Sequence, residues 1–268
     1  MPGAVQTAVI AFADFLLKYF VALAAVGALA MALIELAKKV FDWRTRFHIT
    51  AVTMWMIDGN EDERTAVKPY GELLHLCTGL SIEAARATAA KLVSSKGHVP
   101  GILWIGPQPQ YAPFALDLER MMGHFQDAAD VALNFPDKYG GLYEFMTGGS
   151  DPGDQQFWGV QALRPAGGLT VDRDEAKQRA DTYARLNQIA RRKLDAFQLL
   201  AAHNWTNTVQ LWANLLGVLI LFGALIRVTP AGTAIDWLQY ALISLFGGIL
   251  SPIAKDIVVA LKKVRQSV

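Results

Sequence analysis

The chain has 268 residues, 53% of them hydrophobic, a formal net charge of +1 and a single cysteine, Cys77. A near-neutral balance offers no basic face broad enough for nucleic acid, and one cysteine forms neither an internal disulfide nor a thiolate metal cage, leaving it the role of a small buried hydrophobe. The apolar share exceeds that of an average soluble domain and falls short of a chain made only of membrane helices, so a mixed design is expected.

Three apolar stretches carry the excess, at roughly 10–37, 209–228 and 235–254. Each approaches or exceeds the run of about 20 apolar residues that crosses ~30 Å of hydrocarbon. The expected fold is therefore mainly α, an integral membrane protein with three transmembrane helices, one N-terminal and two in a C-terminal hairpin. Its parts are a first span at 1–39, a cytoplasmic α-rich domain at 40–171, a stalk helix at 172–207, the hairpin at 208–254 and a basic tail at 255–268.

Residues 1–13 carry no basic charge to form the n-region of a signal peptide, so the first stretch reads as a retained anchor. Within it Ala24, Ala28 and Ala32 recur every four residues beside Gly27, a stripe that lets another helix backbone approach closely. Asp14 and Lys18, one turn apart, can pair at the outer interface.

Val40, Trp43, Phe47, Ala51, Met54 and Ile57 continue at helical spacing, so the first helix is expected to run on to a cap at Gly59; a strand over 49–57 is the alternative. Asp58, Asn60 and Asp62 alternate like the start of a calcium loop, but Glu63 and Pro69 stand where the turn glycine and the closing glutamate belong. Ser81 is placed to cap a helix reaching about Ser95, before Gly97. Pro113 is placed to open another, in which Phe114, Leu118, Met121, Phe125 and Ala129 share a face.

From about 135 to 171 glycines separate Tyr143, Phe145, Phe157 and Trp158. This stretch reads as an ordered loop or contact arm used between subunits. Gly148 and Gly153 have phosphate-loop spacing, yet Asp154 and Gln155 occupy the lysine and hydroxyl positions. Pro152 likewise spoils a nucleophile elbow beginning at Gly148. The histidines His48, His75, His98, His124 and His203 lack zinc-ligand spacing and read as surface or interfacial residues. No catalytic, cofactor or metal site is expected from these patterns.

Asp172 and Glu175 resemble a capping box, from which the chain stays helix-compatible into the second span and forms the stalk. Trp205, Trp212, Trp237 and Tyr240 fall where amphipathic rings anchor at a bilayer interface. Asn214 suits a cross-helix hydrogen bond. Pro230 and Gly232 make the hairpin turn, and along the third span Tyr240, Ser244, Gly247, Gly248 and Ser251 share a face where Pro252 cannot donate to the Gly248 carbonyl. That face is a packing seam or, in the second reading, the lining of a pore.

Lys38, Lys39, Arg44 and Arg46, then Arg191, Arg192 and Lys193, then Lys255, Lys262, Lys263 and Arg265 all fall on one side of the spans. The positive-inside rule makes that side cytoplasmic and puts the N-terminus outside an inner or plasma membrane. The function expected is a homo-oligomeric membrane scaffold, with lipid and further copies of itself as partners and an unknown cytoplasmic partner open. A channel-like assembly is the alternative, and a membrane-anchored enzyme comes third.

Overall fold

The computed structural model describes residues 2–60, 62–98, 108–161, 173–228, 233 and 235–248, with 2–20, 161 and 228 given by backbone alone. Among these residues the chain is helical and contains no strand. In order come α1 (Pro2–Val40), α2 (Trp43–Asp58), α3 (Glu63–Thr78), α4 (Ile82–Ser94), a 3₁₀ turn (Pro109–Tyr111), α5 (Ala112–Ala115), α6 (Leu118–Asn134), α7 (Gly140–Thr147), α8 (Pro152–Gln161) and α9 (Arg173–Val228). A last helix, α10, covers 235–248. The chain divides into two compact units, one of Met1–Val40 with Thr206–Val268 and one of Phe41–Trp205. They are called the apolar and the helical unit below.

α1 does not run on as one helix to Gly59. Phe41 and Asp42 form a turn, Asp42 adopts a left-handed conformation at φ 46°, and its carboxylate accepts the Thr45 hydroxyl at 2.8 Å. Aspartate is one of the few residues with a side chain that adopts this conformation readily. Because the apolar spacing continues on both sides, periodicity alone conceals the break. α2 occupies the stretch for which a strand was the alternative, and Gly59 does cap it, its N–H reaching the Trp55 carbonyl.

Asp62 caps α3 by accepting from the Thr65 amide at 2.8 Å while the Thr65 hydroxyl faces the Asp62 amide. Asn60 turns its amide to the Met56 carbonyl. The acidic alternation is thus a helix junction. Ser81 caps α4 as its position predicts, accepting from Ala84 N–H.

The helix expected from Pro113 is interrupted. α5 ends at Ala115, Leu116 is extended, and Asp117 caps α6 by accepting from Arg120 N–H at 3.0 Å. The expected face survives the break, with Phe114, Met121, Phe125 and Ala129 all buried. The glycine-rich stretch is corrected more deeply: its described part folds into α7 and α8. Glycines stand at the ends of these helices, Pro152 occupies a first turn where its missing donor costs nothing, and Tyr143, Phe145 and Trp158 are core residues. Trp158 Nε1 donates to the Leu133 carbonyl at 2.7 Å. Residues 162–171 and the expected cap Asp172 lie outside the described residues.

The core of the helical unit is built from Ile49, Val52 and Met56 of α2, Tyr70, Leu73 and Leu74 of α3, Phe125 and Leu133 of α6, Leu142 and Met146 of α7, and Leu186, Leu194 and Phe197 of α9. Trp55 joins three elements, its ring 4.8 Å from Phe145 and 4.6 Å from Phe197. The stalk and second span expected from the sequence are one continuous helix of 56 residues. Two helices, α1 over Val21–Val40 and α9 within Arg173–Arg227, are long and apolar enough to cross a membrane. The third apolar stretch is described only as far as residue 248, and the side chains of Asp14 and Lys18 lie outside the description.

Candidate functional site

Two constellations stand out, one in each unit. In the apolar unit, α9 and α10 cross with glycine at the contact. A Cβ on Gly248 would lie 2.6 Å from the Val218 nitrogen and 2.9 Å from its Cα, which no flexible side chain can relieve. A Cβ on Gly217 would meet the Gly248 carbonyl oxygen at 3.4 Å. One on Gly247 would lie 2.7 Å from Leu221 Cδ1 and 3.2 Å from Leu23 Cδ2 of α1. Small residues at such crossings let helix backbones approach where apolar surroundings supply no hydrophobic drive. Phe222 and Trp237 pack ring on ring along the same pair, 6.0 Å apart.

Gly247 and Gly248 were candidates from the sequence, and both are buried here. Gly217 was missed, although Ala213 and Gly217, four apart and both buried, make a small-residue pair of the kind seen at such crossings. Ser244 is 1% exposed, and its hydroxyl has no hydrogen-bond partner among the described residues. Asn214 and Tyr240 are half-buried, while Trp212 and Trp237 are exposed. Trp205 belongs to the helical unit, where it packs on Phe47 at 5.1 Å. Ser251 and Pro252 lie outside the described residues. Thr233 and Asp236 form a capping box for α10, the Asp236 carboxylate accepting from Thr233 N–H at 2.8 Å and the Thr233 hydroxyl accepting from Asp236 N–H at 3.4 Å.

On α1 the face packed inside the unit is Leu23, Gly27, Ala30 and Ile34, at steps of four, three and four. Gly27 belongs to it. The alanine stripe does not: Ala24 is half-buried, and Ala28 and Ala32 are exposed.

In the helical unit the notable site is α7, held at one end by a buried carboxyl and at the other by a half-buried ammonium. Glu72 on α3 is fully buried and accepts from Leu142 N–H in the first turn of α7 at 2.7 Å. Burial pushes this carboxyl above the usual carboxylate range against the pull of the Leu142 amide, Lys68 and Arg86. Its second oxygen lies 3.8 Å from Arg86 without a hydrogen bond. At the other end Lys193 of α9 donates to the Phe145 carbonyl and lies 3.8 Å from the centre of the Phe145 ring. Burial pushes that ammonium down. An anion at the start and a cation at the end both complement the helix dipole. Gly141 permits the fit, because a Cβ there would come 2.8 Å from Lys68 Cγ and 3.1 Å from the Pro69 nitrogen.

An open cavity of about 500 Å³ lies beside this helix, lined by Arg64, Lys68, Glu144 and Phe145 among others. A second polar depression of about 480 Å³ contains Asp154 and Arg185, whose bidentate pair at 2.7 and 2.6 Å holds the Asp154 carboxyl below its usual range. Acid and base are therefore already engaged with each other there. His48, expected at a surface or an interface, is buried, with Nδ1 2.9 Å from the Phe114 carbonyl. Cys77 is half-buried against the His124 carbonyl at 3.5 Å, and burial pushes its thiol up to about 12. No family model matches this chain, and no curated protein or solved structure matches it either.

Proposed function

We propose that this protein is an integral membrane scaffold: the apolar unit sits in the bilayer and associates with further copies, while the helical unit is carried on the cytoplasmic side. The observation that carries the self-association is the position of Ala28 and Ala32, turned away from the packed face of α1. A small-residue face left open on an apolar helix is where a second helix can approach closely. Membrane insertion draws support from large apolar side chains exposed on three helices of the apolar unit: Leu29 is 50% exposed, Leu211 64%, Ile235 66% and Phe246 63%. A bilayer would cover them.

The test is the size of the detergent- or nanodisc-extracted particle, imaged for wild type and for Ala28→Ile with Ala32→Ile. The scaffold reading expects a multimer that the double variant reduces to smaller species. A wild-type monomer, or a variant multimer unchanged in size, defeats it.

The second reading, a channel-like assembly, draws on the buried Ser244 hydroxyl, which has no partner among the described residues. Unlike the scaffold, it expects ion flux that changes when Ser244 becomes Val. Gly247 and Gly248 are occupied in packing against α9, which favours the scaffold between the two.

A further inference from the structure

In the helical unit, α2 and α9 meet where the chain enters and leaves that unit. The unit begins at Phe41 and ends at Trp205, and the Trp205 ring packs on Phe47 at 5.1 Å. At that same end stand Phe41, 43% exposed, the half-buried Trp43, and two arginines, Arg44 and Arg46. Aromatic rings beside guanidinium groups are the side-chain chemistry of a bilayer's headgroup layer.

Arg44 is exposed, and neither it nor Arg46 makes an ion pair or side-chain hydrogen bond among the described residues. The Nε–H of Arg46 is buried with no acceptor among the described residues, which closes that atom to a ligand as well. A phosphate is therefore met by the remaining N–H groups of the two guanidinium ions, whose planar fork suits its oxygens. Two acids act on the neighbouring His48, and both belong to other contacts: Asp42 accepts from Thr45, and Asp117 caps α6. Asp42 makes no side-chain cap bond to α2, so its carboxylate leaves the first amides of that helix unclaimed. The apolar stretch of α1 ends at Val40, four residues before Arg44.

We infer that Arg44 and Arg46 hold the phosphate of an anionic lipid headgroup, with Phe41, Trp43, Phe47 and Trp205 as the apolar support around it. This rests on the membrane reading above and names the lipid class that the membrane must contain. Each basic residue near an anionic surface adds enough attraction that removing two is expected to weaken the preference roughly thirtyfold.

The experiment uses the full chain in nanodiscs of phosphatidylcholine, alone or mixed with phosphatidylglycerol. Retained lipid is read by native mass spectrometry, and unfolding temperature is measured alongside. Wild type is expected to retain phosphatidylglycerol and to unfold at higher temperature in its presence. Arg44→Gln with Arg46→Gln loses that preference, whereas Arg191→Gln with Arg192→Gln keeps it. Arg44→Gln alone, at an exposed position, gives a partial loss and serves if the double variant does not fold.

Equal lipid preference in wild type and the Arg44 variants overturns the inference. Inorganic phosphate that stabilises the protein in phosphatidylcholine as well as the lipid does overturns it too, by assigning the site to a small anion. A chain that stays in solution without detergent defeats the membrane reading and this inference with it. One that inserts but ignores lipid charge defeats this inference alone.

Discussion

Glu72 and His48 are both buried ionisable residues, and their titrations run in opposite directions. Glu72 has its pKa raised above the ordinary 4.5 by burial. Between those values the folded chain holds a proton that the unfolded chain has released, so stability is full below pH 4.5 and falls as pH rises through the folded value. Glu72→Gln removes that slope while keeping an acceptor for Leu142, and is expected to stay within about 1 kcal/mol of wild type at neutral pH. Glu72→Ala leaves the Leu142 amide buried without an acceptor and costs about 1–3 kcal/mol. Denaturant titration of the detergent-solubilised chain separates the two, and a glutamine variant as unstable as the alanine one would contradict this account. His48 has its pKa lowered from 6.5, chiefly by burial. Here the unfolded chain binds the proton first, so stability is full above pH 6.5 and is lost as pH falls through the folded value. His48→Gln keeps a donor for the Phe114 carbonyl, and its unfolding temperature is expected to fall less than that of wild type between neutral pH and mild acid.

Among helices, the crossing of α9 and α10 has a clean internal control. Gly248 has no room for a Cβ, whereas Gly223, in the same unit, has nothing within 4 Å of the position a Cβ would take. Gly248→Ala is expected to lower stability by about 1–3 kcal/mol, as overpacking a close contact does. Gly223→Ala should be neutral or stabilising by up to about 1 kcal/mol, because alanine suits a helix better than glycine. Unfolding temperatures of the two variants in one detergent test the pair, and equal losses would remove the crossing from the argument. The sequence exposed this contact in part, because Gly247, Gly248 and Ser244 repeat at helical spacing while Gly217 has only Ala213 to signal it. The local caps at Gly59 and Ser81 were legible for the same reason: a cap is decided by residues a few positions apart. What could not be read was non-local. Leu142 lies 70 positions from Glu72, and Phe145 lies 48 from Lys193, so nothing near the glycines of α7 announces that a distant carboxyl and a distant ammonium receive its two ends. The breaks at Asp42 and Leu116 were hidden differently, since the apolar spacing carries across each of them.

For the molecule as a whole, the proposed membrane reading predicts which side of a bilayer the helical unit faces. Basic residues cluster after the first apolar stretch, before the second and after the third, while the 229–233 segment carries none. Loops rich in lysine and arginine stay cytoplasmic, so the proposed membrane reading expects the helical unit inside and Thr233 outside. A cysteine placed at Glu83, exposed on α4, and another at the exposed Thr233 test this in turn, each in a chain where Cys77, the one native thiol, has been replaced by alanine. With a membrane-impermeant maleimide on intact cells, the Thr233→Cys protein is expected to label at once. Glu83→Cys should label only after the membrane is opened. Reversed labelling would invert the orientation and, with it, the leaflet in which Arg44 and Arg46 meet lipid. Labelling of both positions in intact cells would mean that the stretch between α4 and α10 crosses the bilayer an even number of times or not at all. Because α9 is the one candidate span between those positions among the described residues, it would then not cross, and the exposed leucines along it would need a protein partner to cover them.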